Sequence, residues 1–154
     1  MNNNIDSYSD WLEFVEYLKK APRSEANILK LQNSNIAVNN DLIIHLLEAI
    51  LDLIKTRIDK VLDKYDNYMM DGLNEDMFTM FILDVKKEYQ YLSKICSISY
   101  IPKEITSKLY EELKKSADLV QNNLKNQTID IDDDGIYQSI IINNPINGFY
   151  KERK

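Results

Sequence analysis

The sequence predicts an all-α fold: an antiparallel bundle of four to five helices followed by a C-terminal tail. Three observations carry that expectation. Apolar residues recur at intervals of three and four over most of the chain, the spacing that lines one face of a helix. Only 3 Gly and 3 Pro interrupt the 154 residues, which favours long elements over many short strands. With 44% hydrophobic and 29% charged residues, the composition is that of a globular domain able to bury a core.

The first helix is expected over residues 10–20, with Ser9 as its N-cap and Trp11, Phe14, Val15 and Leu18 on one face. Lys19 and Lys20 suit its C-terminal end, and Pro22 stops it. A weaker helical turn follows at 24–31. The stretch "QNSNIAVNN" then reads as a loop, because Asn and Ser compete for backbone hydrogen bonds.

The strongest pattern runs over residues 41–71. Leu47, Leu51, Ile54, Ile58, Val61, Tyr65 and Tyr68 alternate spacings of four and three, a seam that lets one helix pack lengthwise on another. Around its first half stand Ile43, Ile44, Leu46, Ala49, Ile50 and Leu53, so this half is expected at the centre of the bundle. Gly72 marks its end. A second long helix starts by Glu75 and carries Phe78, Phe81, Val85, Tyr89, Leu92 and Ile95. The turn between them is short, which makes the two helices antiparallel neighbours. "SISYIP" breaks the chain, and Pro102 opens a last helix striped by Ile105, Leu109, Leu113, Ala117, Val120 and Leu124. Residues 1–127 are thus expected to form the bundle and 128–154 a tail packed on it or extending from it.

The tail opens with "TIDIDDDGIYQSIII". Asp130, Asp132, Asp134 and Gly135 match the first, third, fifth and sixth positions of a calcium loop. The twelfth position, which needs a bidentate Glu, is Ile141. Ile129 and Ile131 alternate with polar residues before Asp134-Gly135, a hairpin signal. A short β-hairpin or irregular packed tail is therefore expected ahead of a weak cation site, with a helix as the remaining alternative.

Chemistry is sparse. Asp41, His45, Glu48 and Asp52 share one helical face, but the order and single occurrence differ from di-metal bundles, and His45 is the one histidine. A solvated strip is expected there, with no metal or cofactor. Cys96 cannot form an internal disulfide, follows the apolar stripe and reads as a small buried hydrophobe, which points to a reducing cytoplasmic setting. Three scattered glycines leave no phosphate loop. No catalytic constellation is found, so an enzyme is not expected. A net charge of −6 opposes nucleic-acid binding. The apolar run "LIIHLLEAILDLI" is too short and too interrupted to span a membrane, and the N-terminus lacks the pattern of a signal peptide.

One oddity remains. Tyr68, Met69, Met70, Met77, Phe78, Met80 and Phe81 crowd the turn between the two long helices, more large apolar groups than one narrow seam can hold. They either fill the end of the core or, as the candidate partner-binding residues, contact another protein or a second copy, because Met and aromatic side chains suit adaptable contact surfaces. Ten tyrosines lean the same way. By elimination the chain reads as a small acidic, non-enzymatic interaction module. An inhibitor, an immunity or antitoxin partner, or a regulatory adaptor fits that reading, and the Asn, Ile, Lys and Tyr bias suggests a low-GC bacterium or phage. The alternative is a helical metal- or ligand-binding protein.

Overall fold

The computed structural model describes residues 4–70 (67–70 by backbone only), 74–129, 132 and 134–148. Among them the fold is all-α, with helices α1 (Tyr8–Leu18), α2 (Glu25–Gln32), α3 (Asn40–Met70), α4 (Glu75–Cys96), α5 (Lys103–Thr128) and α6 (Ile136–Asn143), then a 3-10 turn at Ile146–Gly148. No described helix is long and apolar enough to cross a membrane.

Short polar side chains set where the helices begin. The Ser7 hydroxyl accepts the amide of Asp10 at 3.1 Å, so α1 starts two residues earlier than Ser9 would place it. Asn39 Oδ1 accepts the amide of Leu42, and Asn74 Oδ1 that of Met77. Each satisfies an N–H that the first helical turn leaves without a carbonyl. Pro102, which has no N–H to lose, precedes α5, and its carbonyl takes the amides of Ile105 and Thr106.

By its contacts the chain divides into two compact units, residues 1–57 with 91–112 and residues 58–90 with 113–154. In the first, α1 buries Trp11, Phe14, Val15 and Leu18, the expected face. Trp11 Nε1 donates to the Tyr100 hydroxyl, and that hydroxyl donates to the Leu31 carbonyl, each at 2.9 Å. The relay joins α1, the end of α2 and the 97–101 connection. Arg57 is buried on α3 and donates to the carbonyls of Leu18 and Ala21, with its guanidinium 4.9 Å from the centre of the Tyr91 ring. These are carbonyls at the end of α1, where intrahelical partners run out.

In the second unit the Tyr65 ring meets the Phe81 ring edge-on at 4.7 Å, and its hydroxyl donates to Asp84. Tyr89 is fully buried, and its hydroxyl shares a 2.8 Å hydrogen bond with that of Ser116. Burial pushes the Tyr89 phenol up to about 12. No buried side-chain nitrogen or oxygen among the described residues lacks a partner.

Two sequence expectations need correction. Along α3 the buried face runs through Leu46, Ile50, Leu53, Ile54, Arg57, Ile58, Val61 and Tyr65, while Leu47 and Leu51 are only half buried. The seam read from spacing is right from Ile54 to Tyr65 and one position off before it. The first half of α3 is apolar nearly all round, so spacing alone does not select which of its apolar positions face the core. Secondly, residues 136–143, read as the second strand of a hairpin, form α6. No strand occurs among the described residues.

The corrected register makes a measurable distinction. Leu46→Ala and Ile50→Ala are expected to cost on the order of 2–5 kcal/mol through lost burial and a residual cavity. Leu47→Ala should cost clearly less than either. Urea denaturation of the three variants checks it, and equal losses at Leu46 and Leu47 would restore the heptad register.

Candidate functional site

The exposed face of α4 is the first place to look for function. Asp76, Met80, Leu83, Lys87 and Gln90 are exposed and recur at helical spacing, opposite the buried Phe78, Phe81, Ile82, Val85 and Tyr89. Three of the five are polar or charged, as a water-facing stripe should be. Met80 and Leu83 are the exceptions, 64% and 39% exposed and one turn apart.

The seven residues expected at the Met-rich turn therefore separate. Phe78 and Phe81 are buried core residues, stacked with ring centres 6.3 Å apart, and cannot be surface anchors in this conformation. The α4 helix turns them toward the aromatic cluster of Tyr65 and Tyr137 because they share a face with Val85 and Tyr89. Met77 is half buried, and Met80 stands outside. The side chains of Tyr68, Met69 and Met70 lie outside the described residues, as does Gly72. Leu83 was missed. Its signal was available, since it falls one turn from Met80 on the polar side of α4.

The acidic loop has a structural task. Asp132 accepts the amide of Tyr137 on one carboxylate oxygen at 3.0 Å and that of Gln138 on the other at 2.9 Å. A carboxylate there favours helix initiation twice, by filling free N–H groups and by facing the positive end of the helix dipole. Gly135, at φ 71°, supplies the left-handed turn into α6. Gln138 reaches back from α6, donating to the Lys125 carbonyl at 2.9 Å and the Thr128 hydroxyl at 2.7 Å. Asp132, at the third position of the calcium-like run, thus caps α6, and Gln138 ties α6 to the end of α5. Asp130 lies outside the described residues.

The α3 polar strip is also engaged. Tyr8 lies 6.5 Å from the His45 ring, and its phenol is held above the usual tyrosine range by burial and by the Glu48 carboxylate. Lys19 pairs with Asp52 and, at 2.7 Å, with Glu16, and these hydrogen bonds raise its ammonium further. The strip therefore borders the docking of α1 on α3 within the first unit. Among the described residues no three His, Cys, Asp or Glu side chains are grouped to hold a metal. Cys96 is fully buried, and desolvation pushes its thiol up to about 12, which leaves almost no thiolate, the nucleophilic form, at neutral pH.

Comparison of the chain with protein-family models, curated proteins and solved structures yields no match in any of the three.

Each Asp132 oxygen already accepts a backbone amide, so a calcium ion competes with the α6 cap for this carboxylate. Adding calcium to about 1 mM, the weak end for such loops, should leave the melting temperature unchanged within a degree. A rise of several degrees that disappears in Asp132→Asn would establish a cation site instead.

Proposed function

We propose that the chain is a non-enzymatic antiparallel helical bundle that acts by binding another protein or a second copy of itself through the α4 face bearing Met80 and Leu83. The observation that carries the reading is the exposure of these two side chains on a stripe that is otherwise polar. Binding surfaces gain most of their energy from a few large apolar anchors, and Met adapts its shape to a partner at little cost. Charged neighbours Asp76 and Lys87 flank the pair on the same stripe, as a polar rim flanks an apolar centre. Two exposed apolar residues are a small patch, which fits a modest or regulated contact better than an obligate one.

The state of the chain's one cysteine bears on the class of action. Its one thiol is buried and protonated, so a reading in which it inhibits, neutralises or adapts a partner is favoured over one in which it transforms a substrate. A cytoplasmic setting suits that free thiol. The competing metal-carrier reading is weakened because Asp52 and Asp132, two of its donors, are already held by Lys19 and by the α6 amides.

The test separates binding from folding. Met80→Lys and Leu83→Lys, singly and together, should shift the melting temperature by no more than about 2 °C, because both positions open to solvent, so a lysine there keeps its ammonium in water, and surface changes usually stay within about 0.5 kcal/mol. The same changes should weaken association, with self or with a protein retained from the native host, at least tenfold, about 1.4 kcal/mol. Sedimentation and pull-down profiles indistinguishable from the parent would rule out this face.

A further inference from the structure

We propose that the segment Ile136–Gly148 is a latch that opens by itself while α4 and α5 remain folded, and that its opening bares Phe78, Gln121 and Thr128. The proposal does not depend on the α4 face described above, since Phe78 lies on the opposite side of that helix.

The argument begins with the helix itself. At eight residues α6 is too short to persist alone in water, where isolated helices below about 12–15 residues are marginal. Its stability must come from what it touches. Ile141 and Ile146 are fully buried, and Tyr137 meets the Phe78 ring edge-on at 5.1 Å. Against these anchors, Ile142 is 65% exposed and Ile136 also stands partly in water. Part of the apolar surface of α6, Ile142 above all, therefore contributes little to holding it down.

The other attachments are polar. Besides the two bonds from Gln138, the amide of Asn147 donates to Gln121 Oε1 at 3.2 Å, and its side-chain Nδ2 donates to Asp118 at 2.8 Å. Water replaces such bonds at small net cost when the segment lifts away. The surface beneath is equipped to survive the loss. The Thr128 hydroxyl still donates to the carbonyls of α5, being within 3.1 Å of those of both Leu124 and Lys125. Phe78 keeps its stack on Phe81. The helices that remain, α4 and α5, have 22 and 26 residues and bury Ile82, Val85, Tyr89, Leu113 and Ala117. Segments with few buried anchors and water-replaceable bonds are those that open below the global unfolding free energy. What opening uncovers here is the Phe78 ring, the Gln121 amide and the Thr128 hydroxyl.

Residue-resolved amide hydrogen exchange on the full chain tests the latch. Amides of residues 140–143 should exchange at least tenfold faster than those of residues 82–89 in α4 and 113–121 in α5. Low urea should accelerate the α4 and α5 amides steeply and the α6 amides only slightly, because local opening exposes little surface. Asp132→Ala, which removes the α6 cap, should raise α6 exchange a further tenfold and leave α4 and α5 within twofold. If α6 exchanges at the rate of α4 and shares its urea dependence, or if Asp132→Ala accelerates all three helices together, the segment is part of one cooperative unit and the proposal fails.

Discussion

Arg57 occupies a position on α3 where every sequence rule asks for an aliphatic residue. Its neighbours on the buried face are Leu53, Ile54, Ile58 and Val61, yet the guanidinium is itself buried. A charge removed from water is tolerable only where an opposite charge or fixed dipoles replace the lost hydration. Here the Leu18 and Ala21 carbonyls do so, and the Tyr91 ring lies against the guanidinium. The need is mutual, because those carbonyls sit where α1 ends and has no amides left to offer. One side chain thus fixes the end of α1 against α3 and α4. Lys19–Asp52 and the Trp11–Tyr100–Leu31 relay hold the same unit from other sides. Of these, the Lys19–Asp52 pair, whose carboxylate is largely exposed, contributes least, since solvent screens it.

How far the sequence reveals this arrangement depends on the physics at each position. The helical class and the buried faces of α1, α4 and α5 follow from apolar spacing, because burial of one face is what makes such helices stable. Arg57 does not, since its partners are backbone carbonyls and carry no residue signature. The first half of α3 misleads by excess. Ile43, Ile44, Leu46, Leu47, Ile50, Leu51 and Leu53 offer several apolar faces, and only packing selects among them; Ile44 ends in water. Met80 and Leu83 show the converse problem. Spacing identifies that Met77, Phe78, Met80 and Phe81 cannot all share one face, but the direction of the core decides which are left outside.

The tail exposes a different ambiguity. Asp and Gly in "DDDG" serve a hairpin, a cation loop or a helix start, and each use draws on the same chemistry: short carboxylates that accept backbone amides, and a glycine free to turn left. Eight residues of Ile, Tyr, Ser and Gln have no decisive period of their own. Contacts outside the segment choose the helix, with Ile141 and Ile146 buried and Gln138 reaching Lys125 and Thr128. An element held by tertiary contacts is both hard to read from local sequence and easy to detach. The same physics underlies the error and the latch.

The measurement that bears most directly on this account is the stability of Arg57→Met. Methionine keeps much of the length and apolar bulk but removes every donor, so it leaves the Leu18 and Ala21 carbonyls without this partner. Chemical denaturation should show a loss on the order of 3 kcal/mol, the scale of removing one member of a buried charge-assisted hydrogen-bonded group. Arg57→Lys, which retains the charge but not the planar fork, should fall between Met and the parent. An Arg57→Met protein as stable as the parent, or more so, would mean that the buried guanidinium is dispensable and that apolar packing alone fixes the end of α1.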